Sequence, residues 1–96
     1  MPSEDLISTI RKHKNALYAM GVKSLEIFGS TARGDARPDS DIDFLVEFQE
    51  PPSFDRYMDV KLYLEDLTGR RVDLVTRAAL KPRLRPSIEA EAVRVA

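Results

Sequence analysis

The chain has no cysteine, no tryptophan and a single histidine, and it contains no long apolar run. Without cysteine it forms neither a disulfide nor a thiolate metal site. With His13 alone, any site that needs two imidazoles is excluded. No stretch approaches the ~20 apolar residues of a membrane-spanning helix, and the acidic start Met1-Pro2-Ser3-Glu4-Asp5 is unlike a signal peptide. An excess of either charge is lacking too. Fifteen basic residues against sixteen acidic ones leave a formal charge of -1, too little to drive nucleic-acid or membrane binding by charge alone. Direct nucleic-acid binding and membrane attachment are therefore not expected, and a cytoplasmic protein is the default.

Ninety-six residues suit one small domain over 1–96 with a single core. Hydrophobic and charged fractions of 43% and 32% are ordinary for a soluble globular protein, so a packed core is expected rather than disorder. Ser3 followed by Glu4 and Asp5 reads as a helix start, with a hydroxyl cap and acids in the first turn. Leu6, Ile7, Ile10, Leu17 and Met20 recur at helical spacing until Gly21 closes the helix. Residues 22–28 alternate as a strand that ends at Gly29-Ser30, and 31–40 are small, charged and turn-prone. A second strand over 41–48 puts Ile42, Phe44, Val46 and Phe48 on one face and Asp41, Asp43, Leu45 and Glu47 on the other. Pro51 and Pro52 bar further strand. A helix follows over 54–67, ended by Gly69, then a third strand over 71–76. A helix within 80–95 starts or breaks near Pro82 and Pro86, and a short tail follows it. This order predicts an α/β (α+β) fold, a small mixed sheet with helices packed on it.

Asp41 and Asp43 carry the most chemistry. Two apart on a strand, their side chains share a face, about 7 Å apart along the chain. Were two carboxylates about 4 Å apart, an effective dielectric of about 20 would make their repulsion about 4 kcal/mol. A divalent cation reverses that sign, so the pair reads as a metal platform at a strand start. A lone Asp-x-Asp among nine aspartates arises by chance. A strand ending in Gly29-Ser30, a turn of about ten residues, then Asp-x-Asp opening an apolar strand is far rarer. Asp73, within Val72-Asp73-Leu74-Val75, supplies a third acid; the bland alternative makes it a surface charge.

Other residues leave two readings open. Arg33 reaches a phosphate or pairs with Asp35 or Asp39; Ser40 supports Asp41 or caps a turn. Arg77, Lys81, Arg83 and Arg85 form a basic rim or, the favoured reading, a solvated helix face. His13, beside Lys12 and Lys14, is expected to face solvent, and Phe54, Tyr57 and Tyr63 to join the core. The wide apolar stripe over 54–67 leaves Met58 and Leu62 on a side that the sheet does not cover, which predicts a homo-oligomer or a partner chain there.

The run Gly29-Ser30-Thr31-Ala32-Arg33-Gly34-Asp35-Ala36-Arg37-Pro38-Asp39-Ser40-Asp41-Ile42-Asp43 resembles the signature of the nucleotidyltransferase superfamily that includes DNA polymerase beta. More closely, it resembles the minimal nucleotidyltransferases. The signature covers 27–48, and Asp73 matches the position of the family's third carboxylate. The resemblance implies that Asp41, Asp43 and Asp73 are catalytic and hold two Mg2+ ions, typically about 3.5–4 Å apart. It implies ATP as co-substrate, with Gly29 letting a phosphate approach the backbone and the Ser30 hydroxyl donating to a phosphate oxygen. Arg33 and Ser40 are the further nucleotide-binding candidates.

Larger members of that superfamily add domains for the acceptor substrate, and 96 residues leave no room for one. The acceptor is then expected on a partner or on another copy. Minimal members resembling this chain pair with a small helical HEPN-class toxin and act as antitoxin by placing AMP on a toxin tyrosine. The expectation is a Mg2+-dependent nucleotidyltransferase of that kind. Two alternatives stand beside it: nucleotidyl transfer to a small hydroxylated compound, with a partner supplying the pocket, and a non-catalytic module that masks a toxin.

Overall fold

The computed structural model describes residues 2–34, 37 and 40–96. Its elements run α1 (Pro2–Lys12), α2 (Lys14–Ala19), β1 (Val22–Phe28), α3 (Ser30–Arg33), β2 (Ile42–Phe48), α4 (Phe54–Thr68), β3 (Val72–Thr76), a 3-10 turn (Arg77–Ala79), α5 (Arg85–Glu91) and β4 (Val93–Arg94). Four strands form one sheet in the order β3-β2-β1-β4. β1 is antiparallel to both β2 and β4, whereas β2 and β3 are parallel and joined through α4.

Strand alternation sorts the side chains. Ile42, Phe44 and Val46 of β2, Leu25 and Ile27 of β1, and Val72 and Leu74 of β3 are buried together with Ile10, Leu17, Val60 and Leu64 from the helices. That is the core face. Asp43, Leu45 and Glu47 lie on the opposite face with Asp73. This second face is not bare, because Leu45 and Leu80 are buried apart from the main cluster.

α4 is bounded by a serine cap and by the expected glycine. The Ser53 side chain accepts from the Arg56 amide at 3.1 Å, and Gly69 takes the left-handed conformation with φ 67°. From its inner side the Tyr57 hydroxyl donates to the Leu74 carbonyl on β3, which ties the crossover helix to the strand that carries Asp73. Among the described residues, no helix is long and apolar enough to cross a membrane.

Four expectations need correction. The first helix is broken at His13, whose amide bonds Ile10 at 2.9 Å and whose Nδ1 meets the Thr9 carbonyl at 2.9 Å. A carbonyl only accepts, so Nδ1 carries the proton there. His13 is therefore half-buried against the edge of Tyr63, not turned to solvent. Phe54, the first residue of α4, is 75% exposed and not in the core. The tail after α5 is a strand, with Val93 opposite Ile27 and Arg94 opposite Glu26. Tyr57 and Tyr63 do pack on the core, and Leu62 is exposed while Met58 is half-buried. The helix already includes Pro2, ahead of the expected cap at Ser3, and the Ser3 side chain lies outside what the structure describes.

Candidate active site

The parallel ladder sets Asp43 directly opposite Asp73. Paired positions on neighbouring strands point to the same face about 4.8 Å apart, so both carboxylates rise from one side of the sheet. Asp41 lies two residues before Asp43, at the mouth of β2, where the Ile42 amide bonds the Arg71 carbonyl at 3.0 Å. Its Oδ1 stands 3.3 Å from Arg71 Nε, an ion pair open to solvent on both sides. Among the described residues, no three acids are already gathered at metal-holding distance. Turning Asp41 away from Arg71 costs little, since exposed pairs contribute about 0–1 kcal/mol.

Asp43 carries the electrostatic signature of the cluster. Partial burial pushes its carboxyl above the usual range. The charges of Asp73 and then Asp41 push the same way, Arg33 opposes them, and Glu91 adds a further upward push. All four charged neighbours thus act on one group.

Gly29 adjoins Asp43. It has φ 75°, and a Cβ there would land on Asp43 Oδ2, so only glycine allows β1 to end this close to the acid. The single turn α3 begins at Ser30, with the Arg33 amide bonded to the Gly29 carbonyl at 3.1 Å. Sequence reasoning expected a plain loop here; four residues of helix carry too few periodic positions to announce themselves.

Two side chains escaped the sequence reading. Glu91, at the end of α5, accepts the Gly29 amide at 2.9 Å through Oε1 and holds Arg33 Nη1 at 3.3 Å through Oε2. Arg70 donates from Nη2 to the carbonyls of Arg37 (2.8 Å) and Ser40, tying down the chain just before Asp41. The Ser40 hydroxyl accepts the Arg37 amide at 3.1 Å, so its observed contact closes a turn. The expected pairing of Arg33 with Asp35 or Asp39 lies outside the described residues; among those described, Arg33 pairs with Glu91.

The four cations after β3 do not behave alike. Lys81, Arg83 and Arg85 are exposed. Arg77 is instead drawn inward among three carboxylates, Glu26, Glu47 at 3.6 Å and Glu89 at 2.8 Å. It staples the 3-10 turn and α5 to the sheet.

The geometry is thus an acid cluster on one sheet face, beside a glycine corner that approaches it closely. Residues 7–95 match the model of the nucleotidyltransferase domain. The chain belongs to that family. It is 41% identical to the protein adenylyltransferase MntA of Thermococcus cleftensis over 93 residues, which span 96% of this chain and 94% of the relative. A solved structure described as a candidate minimal nucleotidyltransferase is 40% identical and superposes with a TM-score of 0.84, covering 97% of this chain and 95% of that one. The fold also recurs, at 15% identity and a TM-score of 0.60, in the structure of a tri-AMPylated Shewanella oneidensis HEPN toxin in complex with MNT antitoxin, over 91% of this chain and 71% of that one.

Proposed function

We propose that this nucleotidyltransferase is a Mg2+-dependent protein adenylyltransferase, the antitoxin half of a toxin–antitoxin pair, which moves AMP from ATP to a tyrosine hydroxyl of a HEPN-class partner. The observation that carries this reading is the Asp43–Asp73 pairing across the β2–β3 ladder, with Asp41 beside it and Gly29 packed on Asp43. Support for the acceptor class comes from the Thermococcus relative, named a protein adenylyltransferase, and from the Shewanella pair.

The acid set fits a hard divalent cation, because Asp43 is raised by burial and by its like-charged neighbours, a burden that a cation removes. Asp41, Asp43 and Asp73 would hold Mg2+, which when bound supplies positive charge to the triphosphate and lowers the pKa of the acceptor hydroxyl. The Ser30 hydroxyl donates to a phosphate oxygen of the nucleotide. Asp73 is exposed on the sheet face, so an incoming acceptor can reach it. The acceptor oxygen bonds to the α-phosphorus as the α–β bridging P–O bond breaks, and pyrophosphate leaves. The hydroxyl proton passes to the Asp73 carboxylate and on to water.

The test is label transfer from α-labelled ATP to a co-expressed HEPN-class partner. Asp43→Asn abolishes transfer while the two proteins still co-purify. Full neutralisation of toxicity by that variant would favour a non-catalytic mask instead.

A further inference from the structure

Glu91 is not among the acids that the family signature marks, yet it touches both ends of the glycine corner. One oxygen accepts the Gly29 amide at 2.9 Å, and the other holds the Arg33 guanidinium at 3.3 Å. Those two residues bracket α3, a single turn that is too short to hold its own shape. We infer that Glu91 is a positioning residue of the triphosphate corner, bracing Gly29 and Arg33 so that the backbone keeps its close approach to Asp43. This rests on the proposed reading that a nucleoside triphosphate binds at that corner.

Glu91 acts from an anchored base. Two residues before it, Glu89 bonds Arg77 at 2.8 Å; two residues after it, Val93 pairs with Ile27 in the sheet. The backbone that carries Glu91 is therefore held at both ends, which suits a brace. The same contact assigns the neighbouring donors. Because the Gly29 amide is committed to Glu91, the inference assigns the phosphate contact to the Ser30 hydroxyl rather than to that amide. Arg33 is held by the same carboxylate, so its charge is oriented by Glu91. Because a Cβ on Gly29 would strike Asp43 Oδ2, any drift of this corner is felt directly at the acid cluster.

The experiment is calorimetric titration of the full chain with Mg2+ and either AMP-PNP or AMP. Glu91→Ala is expected to weaken AMP-PNP about tenfold while AMP changes by less than about twofold, because the corner serves the distal phosphates. Glu91→Gln, whose amide oxygen still accepts the Gly29 amide, recovers much of that loss. Asp59→Asn, a charge loss at an exposed position of α4, leaves both ligands unchanged. Should Glu91→Ala fail to fold, Glu91→Asp supplies the comparison, since it keeps the charge but is one methylene too short to reach both groups. Tighter AMP-PNP binding in the Glu91 variants would overturn the inference and make the carboxylate a competitor of phosphate. Equal loss of AMP and AMP-PNP would overturn it in favour of general loosening, and unchanged binding would remove any role. Failure of the wild-type chain to bind AMP-PNP with Mg2+ would instead sink the nucleotide reading itself, and the brace with it.

Discussion

Asp43 and Asp73 face each other across the parallel β2–β3 ladder, on the sheet side away from the main core. Their like charges lie against a partly buried strand, and Asp43 is raised in consequence. A fold gains nothing from such a pair, so the arrangement carries a stability cost when both acids are ionised.

Removing one charge should therefore stabilise the metal-free protein. Asp43→Asn is expected to raise the thermal midpoint in EDTA by a few degrees, with screening of the partly exposed cluster limiting the gain. Added Mg2+ should raise the wild-type midpoint and leave the variant unmoved. A variant less stable than wild type in EDTA would contradict this electrostatic account.

Gly29→Ala meets two penalties. The φ of 75° disfavours a side chain, and the new Cβ strikes Asp43 Oδ2. Urea unfolding should show a loss of about 1–3 kcal/mol, the range for residues forced into sparsely populated backbone regions. Nucleotide binding should fall with it.

Arg70→Lys should damage the site more than the fold. One guanidinium nitrogen ties the Arg37 and Ser40 carbonyls together, whereas a lysine ammonium lacks the planar fork that keeps the side chain in register. Mg2+-supported AMP-PNP binding should weaken several-fold, with the unfolding free energy from urea within about 0.5 kcal/mol of wild type if the effect stays local.

Acid sensitivity should trace in part to Glu65. Its carboxylate accepts the Val72 amide at 3.0 Å and pairs with Lys61 at 3.3 Å. The Val72 hydrogen bond, followed by Lys61, holds its pKa below the ordinary value of 4.5. A group lowered by folding contributes stability that is complete above its unfolded pKa and is lost as pH falls through the folded one. Glu65→Gln should thus be less stable than wild type at neutral pH, with the difference shrinking below the ordinary carboxylate range. Parallel unfolding curves at pH 7 and pH 3 check this.

The acid cluster was legible because strand periodicity fixes which face a residue takes once its strand is located. Asp41 and Asp43 follow from one alternating run, and Asp73 sits between Val72 and Leu74, both buried. Gly29 was legible as a corner, although its contact with Asp43 comes from the pairing of β1 with β2. Glu91 was not legible. It reaches Gly29 across 62 residues, and only because the two-residue strand β4 pairs with β1, a pairing too short to leave an alternation. Arg77 misled for a related reason: sequence shows a run of cations, but not that Glu26, Glu47 and Glu89 converge on one of them. The helix break at His13 coincides with local hydrogen bonds to Thr9 and Ile10 that periodicity does not register.

The most direct measurement is the affinity for AMP-PNP of the wild-type chain and of Asp73→Asn, each titrated with and without Mg2+. The account predicts that Mg2+ tightens wild-type binding and that the Asp73→Asn variant loses most of this gain. An equal gain from Mg2+ in both proteins would contradict the claim that residues 41, 43 and 73 act as one site.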